Sequence, residues 1–267
     1  MKWSKVKFIP DSTWRLLQEY YPDVHAIFRW AKDTADNFYE LRSFVLSHLS
    51  ESKAQLQQDL VALYFNSIFQ RAENPERRPF FVEIGALDGV TLSNTLLLEK
   101  SYGWQGLLCE ADEQNFNRLK INRRLAKLDS RAASRFSGQN LPFLSVPNSA
   151  FSALEGYSTH IEHMSPTQIK YVSTVNLTDL LDEHDCPVNI EFLSIDTEGN
   201  EFEILQGVDF EKYTFNYIAV EENSNKKQLG NLLAGNGYKR ILRRVSAWDS
   251  WWVHDKVLHS CFTRNYR

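Results

Sequence analysis

The residues best suited to chemistry stand at the ends of apolar runs. The first group is Phe80-Phe81-Val82-Glu83-Ile84-Gly85, with Gly89 four residues on. The aromatic and β-branched residues suit a buried strand, and Gly85 and Gly89 bracket a turn where a bulky ligand can approach backbone. Thr91, Ser93 and Asn94 are each able to cap the helix that follows, so the loop is expected to offer free backbone N–H groups to an anionic group. A dinucleotide fingerprint has glycine where Glu83 stands, because the chain turns there beneath a pyrophosphate. A carboxylate repels a pyrophosphate and attracts an ammonium group. The pattern acidic-x-Gly-x-x-x-Gly therefore favours S-adenosylmethionine over a nicotinamide dinucleotide, against the bland alternative of a strand-to-helix turn with incidental glycines.

A second short apolar run, Gly106-Leu107-Leu108-Cys109, ends in Glu110, followed by Ala111 and Asp112. An acid at the tip of a second parallel strand is placed to accept hydrogen bonds from both ribose hydroxyls of a nucleoside. A third run, Phe192-Leu193-Ser194-Ile195, ends at Asp196 and turns through Thr197-Glu198-Gly199-Asn200 into a helix; Tyr217-Ile218-Ala219-Val220 ends in Glu221-Glu222-Asn223. In open α/β sheets ligands bind beyond the carboxyl ends of the strands, so these acids are aimed at one crevice. Converging carboxylates repel unless a cation or a proton is shared. A hard cation such as Mg²⁺, held by Asp196, Glu222 and Asn223, would relieve the repulsion and acidify an acceptor hydroxyl. The alternative is direct general-base action by Asp196, Glu198 or Glu222, with Glu198 also able to cap its helix.

The segments FFVEIGALDGVTLSNTLLLEKSYGWQGLLCEAD and IEFLSIDTEGNEFEIL resemble the FkbM family of S-adenosylmethionine-dependent methyltransferases. The resemblance covers about residues 55 to 255 and rests on Ser93-Asn94-Thr95 and Gly103-Trp104-Gln105-Gly106-Leu107. It implies an α/β class I methyltransferase fold: a Rossmann-like sheet, mostly parallel, with an antiparallel C-terminal hairpin, preceded here by an N-terminal helical extension. It also implies methylation of a hydroxyl, often on a sugar or a secondary metabolite. The cofactor-binding set expected on this basis is Glu83, Gly85, Ala86, Asp88, Gly89, Ser93, Asn94, Glu110, Ala111 and Ala133. The implied fold is similar to that of catechol-type methyltransferases, whose metal ligands arise from the strand ends that carry Asp196 and Glu222.

The elements that position these residues are readable in outline. Phe38, Leu41, Val45 and Leu49 share one helical face, as do Leu56, Leu60, Leu63 and Phe69, and Pro75 with Pro79 ends the run. Residues 1–78 are therefore expected to form a helical extension and 79–267 the cofactor-binding domain. Trp14, Tyr20, Tyr21, Phe28 and Trp30 in the extension offer a homodimer or acceptor surface, with an ordinary helical layer on the sheet as the favoured use. Residues 137–157 read as irregular structure near the rim, and Val172–Leu177 as a strand with Thr178 capping the next helix. His160 and His163, one turn apart, lack a third ligand nearby and are expected to be surface residues. The runs 238–244 and 250–254 suit the closing hairpin; Trp248, Trp251 and Trp252 are assigned to sheet core in preference to an acceptor surface.

Composition excludes more than it selects. With 267 residues and 43% hydrophobic content the chain can bury a sizeable core. It lacks the run of about 18 apolar residues that a membrane span needs, and its start does not read as a signal peptide. Three scattered cysteines suggest reduced thiols and a cytoplasmic setting. A net charge of −4 argues against gripping a nucleic-acid backbone. One local exception is the basic run Arg118, Lys120, Arg123, Arg124, Lys127, Arg131 and Arg135, read first as a solvated helix face and second as a guide for an anionic acceptor. A nicotinamide-dependent sugar oxidoreductase and a non-catalytic interaction protein remain as alternatives, the first disfavoured by Glu83 and the second by the conjunction of Asp196, Glu222 and Asn223.

Overall fold

The computed structural model describes residues 38–73, 77–146, 152–157, 168–223 and 225–263, together with Ala26 and Trp30. Trp14, Tyr20, Tyr21, Phe28, His160 and His163 lie outside the described residues. The main sheet contains β1 (Phe80–Ile84), β2 (Gln105–Cys109), β3 (Lys127–Asp129), β8 (Asn189–Ile195), β9 (Thr214–Glu221), β10 (Tyr238–Ile241) and β11 (Asp249–His254), in the order β10-β11-β9-β8-β1-β2-β3. β8, β1, β2, β3 and β9 run parallel, while β11 is antiparallel to both β9 and β10. The C-terminal hairpin is thus antiparallel, as expected.

Eight α-helices are described: α1 (Tyr39–Ser47), α2 (Gln58–Glu73), α3 (Leu96–Tyr102), α4 (Glu113–Asn122), α5 (Leu177–Glu183), α6 (Glu201–Gln206), α7 (Lys226–Gly235) and α8 (Asp255–Thr263). Strand alternation sends apolar residues to both sides of the sheet, and each side has its own core. One core joins Phe81, Phe192, Tyr217 and Trp251 to Leu41, Leu60, Phe65, Leu97, Leu119 and Val257. The other joins Val82, Ile84, Leu193 and Trp252 to Leu180, Leu205 and Leu229. Neighbouring Trp251 and Trp252 therefore serve opposite faces, both buried, as sheet core.

The helices ahead of β1 belong to the first of these cores. Trp30 is fully buried, its ring 6.0 Å from that of Trp251, and its Nε1 donates to Gln57 Oε1 at 3.2 Å. It offers no dimer surface. Asp59, also fully buried, accepts from Ser52 Oγ at 2.7 Å and from the Lys53 and Ala54 amides at 2.8 and 3.3 Å. Those bonds fix the loop that carries Gln55 to the carboxyl edge of the sheet.

A second, four-stranded sheet was not expected. β4 (Ala132–Ala133), β5 (Asn140–Ser145), β6 (Ala153–Leu154) and β7 (Gln168–Val175) pair in the order β4-β7-β5-β6. Part of the stretch read as irregular is thus β-structure, with Phe143 and Leu154 buried against Ala132. The cap after β7 also differs from expectation. Asn176 accepts the Asp179 amide at 2.7 Å, whereas Thr178 Oγ1 donates to the Gly207 carbonyl at 2.9 Å. No described helix is long and apolar enough to cross a membrane.

Candidate active site

Strand order reverses at β1, whose neighbours β2 and β8 lead away in opposite directions, and ligand crevices form at such points. Here Gly85 and Ala86 donate to the Cys109 carbonyl at 2.9 and 3.1 Å, and Asp196 donates its amide to the Ile84 carbonyl at 3.0 Å. A Cβ on Gly85 would lie 1.8 Å from the Asp196 carbonyl oxygen, and its φ is +84°. Glycine is therefore required by backbone packing, a correction to the view that a side chain there would intrude chiefly on a ligand. Gly89, with φ +76°, is likewise needed for packing: a Cβ would lie 2.5 Å from Leu119 and Arg123 side-chain atoms.

Glu83 does not point freely into the crevice. Its carboxylate accepts from the Asn94 amide at 2.7 Å, from Ser93 Oγ at 3.0 Å and from Thr95 Oγ1. Burial raises its pKa against the opposing pull of Arg123, whose Nη1 is 3.9 Å away. Asp88 Oδ1 accepts the Val90 and Thr91 amides at 2.9 and 2.7 Å, and Ser93 Oγ accepts those of Thr95 and Leu96 at 3.3 and 3.2 Å. The amides expected to be free for an anion are thus largely occupied, and α3 starts at Leu96 behind Thr95.

Arg123 organises this loop from beneath. It is fully buried and donates to Glu99 Oε2 at 2.9 Å, the Gly89 carbonyl at 3.0 Å, Ser93 Oγ at 3.1 Å and Thr95 Oγ1 at 3.0 Å. The basic run is consequently not one solvated face. Arg131 pairs with Asp129 at 2.7 Å and Glu183 at 2.6 Å, and Lys127 donates to the His184 carbonyl.

The crevice has two adjoining halves that share Gly85, Leu87, Asp196 and Glu198. The first lies over β2 and is lined by Glu110, Ala111, Asn115 and Ala133, with Phe143 and Leu154 of the small sheet opposite. Buried Glu110 accepts the Leu87 amide at 2.8 Å and the Asp112 amide at 2.7 Å. Burial raises its pKa to about 7. Each oxygen keeps a lone pair for a further donor. Asn200, unremarked in the sequence, lines this half and donates to the Ala133 carbonyl at 2.9 Å.

The second half, the roomier of the two, is lined by Ala86, Ser93, Asn94, Glu221, Trp248 and Gln55 among others. One carboxylate oxygen from each of Asp196, Glu198 and Glu221 lies within 4.8 Å of the other two. Asp196 is itself exposed, at the crevice floor and within the crevice walls. That enclosure, followed by the charges of Glu221, Asp249, Glu198 and Glu201, raises its pKa well above the usual carboxylate range. Glu198 is raised to about 8 by burial and then by Glu221 and Glu201.

Of the set Asp196, Glu222 and Asn223, the structure brings only Asp196 to the floor. Glu222 pairs with Arg240 at 2.9 Å, and Asn223 Nδ2 donates to Glu221 and to Glu201 Oε1. Glu221, one residue earlier, is the acid of that strand end which faces the crevice, because side chains alternate along β9. Glu198 does not cap α6; Glu201 Oε1 accepts the Gly199 and Thr197 amides at 2.8 and 3.2 Å. Trp248, assigned to core, is instead a half-exposed wall of the crevice.

Seven strands with a reversed strand between β9 and β10, and a crevice at the carboxyl ends of β1, β2 and β8, define a class I methyltransferase fold. Residues 83–249 match the model of the methyltransferase FkbM domain, well over half of the chain, and the protein belongs to that family. No curated protein matches the sequence. Among solved structures, the chain is similar to methyltransferase FkbM from Methylobacillus flagellatus KT, with 16% identity and a TM-score of 0.40 over 87% of this chain and 59% of that one. This chain thus spans less than two thirds of that relative's length. It is also similar to the N-terminal domain of human METTL16 in complex with SAH, with 14% identity and a TM-score of 0.41 over 91% of this chain and 93% of that one. For the plantazolicin methyltransferase BpumL in complex with SAH, identity is 9% and the TM-score 0.36, over 92% and 98% of the two chains.

Proposed function

We propose that the protein is an S-adenosylmethionine-dependent O-methyltransferase acting on a hydroxyl of a sugar, a glycan or a secondary metabolite. The observation that carries this reading is the paired crevice: one half with a buried acid at the tip of β2, open to a second half floored by carboxylates. Residues 79–267 serve as the donor-binding domain, and 1–78 as an extension that lends Gln55 to the crevice wall.

The first half fits an adenosyl group. Phe143, Leu154 and Ala132 supply apolar surface for a planar base, and Glu110 keeps acceptor capacity for the two ribose hydroxyls. Ala86, Asn94 and Ala133 line the route towards the methionine end; Glu83, Gly85, Asp88 and Gly89 hold the loop in shape. When bound, S-adenosylmethionine supplies a methyl group already activated on a sulfonium. The chain's own residues have to align an acceptor oxygen with that methyl, exclude water and remove one proton, and positioning alone contributes roughly 7–11 kcal/mol. Asp196 accepts the acceptor's proton, and Glu198 and Glu221 keep that site basic.

The spacing of the three carboxylates supports a second reading, in which Asp196, Glu198 and Glu221 would hold a hard cation such as Mg²⁺, which would supply acidification of the acceptor hydroxyl. Calorimetric titration with S-adenosylhomocysteine and with NAD tests the donor: micromolar binding of the first and none of the second is expected, and the reverse would refute the reading. Activity that persists in a chelator leaves direct proton transfer to Asp196 standing. Loss on chelation with recovery on adding Mg²⁺ favours the cation.

A further inference from the structure

The second half of the crevice has a charge pattern that specifies more than a hydroxyl. Among the described residues, four carboxylates line it (Glu83, Asp196, Glu198 and Glu221), and no lysine, arginine or histidine does. Glu83 is balanced by Arg123 from below, whereas no ion pair among the described residues includes Asp196, Glu198 or Glu221. A sulfonium donor brings one sulfonium and one ammonium against one carboxylate, a net single positive charge. The three facing acids stand within 4.8 Å of one another, and burial with mutual repulsion favours the protonated form of Asp196 and Glu198, so all three ionise together only when a second cation joins the donor.

Two further features point to what completes it. Asn94, more than nine-tenths buried, lines the same half; its Nδ2 donates to Ser194 Oγ at 2.8 Å while its Oδ1 has no partner, so an acceptor atom awaits a donor there. Trp248 is 37% exposed on the wall. An aromatic face beside carboxylates suits a ring that carries a cation. Of the basic run that would guide an anion, Arg123 is buried and Arg131 paired, and no member lines this half.

Building on the methyltransferase reading, we propose that this half selects a ring-shaped, hydroxyl-bearing acceptor that carries a protonated amine, and excludes phosphorylated or carboxylated acceptors. The amine sits among Asp196, Glu198 and Glu221, and the ring lies against Trp248.

The test titrates the protein, saturated with S-adenosylhomocysteine, with three probes of one ring shape: glucosamine, N-acetylglucosamine and glucosamine 6-phosphate. Ligand-observed magnetic resonance reads the weak affinities. Glucosamine should bind at least about tenfold more tightly than the neutral probe, and the phosphorylated probe more weakly than either. Raising salt from about 0.05 to about 0.5 M should compress the preference, and Glu221→Gln should reduce it to within about threefold, the salt series serving if that variant does not fold. Trp248→Ala should weaken glucosamine about tenfold. Equal or reversed affinities, or no binding by any probe, would overturn the proposal. A protein that binds the probes in this order but not S-adenosylhomocysteine would instead remove the donor reading.

Discussion

Glu110 permits the most direct test of the donor half. Its carboxylate is buried, accepts the Leu87 and Asp112 amides, and is held at a pKa of about 7 by burial. Hydrogen bonds from two ribose hydroxyls favour the ionised form, so binding draws Glu110 to its charged state. With a pKa near 7, about one-tenth of the empty protein is ionised there at pH 6 and about nine-tenths at pH 8. S-adenosylhomocysteine affinity should therefore rise about tenfold between those pH values, with proton release visible as a buffer-dependent enthalpy in calorimetry. The sign follows from the raised pKa: the proton is held below about 7, and binding must expel it. Glu110→Gln keeps the size and removes the titration, but its amide NH₂ must face the Leu87 or the Asp112 N–H. Two charge-assisted bonds lost or weakened correspond to about 2–4 kcal/mol, or roughly 30- to 1000-fold in affinity. A flat wild-type profile, or a Gln variant within about threefold of wild type at pH 8, would refute the ribose assignment.

Asp196→Asn is nearly isosteric and should lower turnover at least about 100-fold while S-adenosylhomocysteine affinity stays within a few-fold; a fully active variant moves the proton acceptor to Glu198 or Glu221. Gly85→Ala places a Cβ against the Asp196 carbonyl at a positive φ and should lower the melting temperature by more than about 5 °C as well as abolish binding. A variant that melts normally yet fails to bind would show that the turn serves the ligand alone. Arg123→Met leaves the Glu83 carboxylate buried without its cation and Glu99 with Lys100 alone, so a loss of about 3–5 kcal/mol is expected in denaturant unfolding. A loss below about 1 kcal/mol would mean that Glu83 is protonated in the folded chain.

Strand ends announced themselves in the sequence because apolar runs stopping at a carboxylate are rare outside ligand crevices. Glu110 and Asp196 therefore fall where the spacing placed them, on one edge of one sheet. The choice between Glu221 and Glu222 was not legible. It turns on one residue of phase at the end of β9, set by the pairing of Asp249 with Glu221 and by Arg240, which draws Glu222 away. Arg123 was hidden for a different reason. Its neighbours Lys120 and Arg124 are solvated, and only the tertiary approach of Gly89, Ser93 and Glu99 shows that one member of a basic run is a buried clamp. The small sheet escaped because β5 finds its partner in β7, beyond β6 in the sequence, and Pro142 within β5 reads locally as a break.

Backbone strain gives the crevice a shared physical character. Leu87, Leu92, Glu198 and Ala247 all have positive φ, of 50°, 56°, 62° and 51°, and none is glycine. Three of them line the crevice, and the fourth immediately precedes Trp248, which does. Each such conformation costs about 1–2 kcal/mol for a side-chain-bearing residue, so four together are a substantial charge on a marginally stable fold. They persist because neighbouring contacts over-determine them. Leu87 is tied through its amide to Glu110, Leu92 sits in the loop clamped by Arg123, and Glu198 leads into the amides gathered by Glu201. Glu83, read in sequence as a ligand-facing group, thus does much of its work on the protein's own backbone. Glu83 and Glu201 hold the turns, and that leaves Glu110, Asp196, Glu198 and Glu221 to face whatever enters.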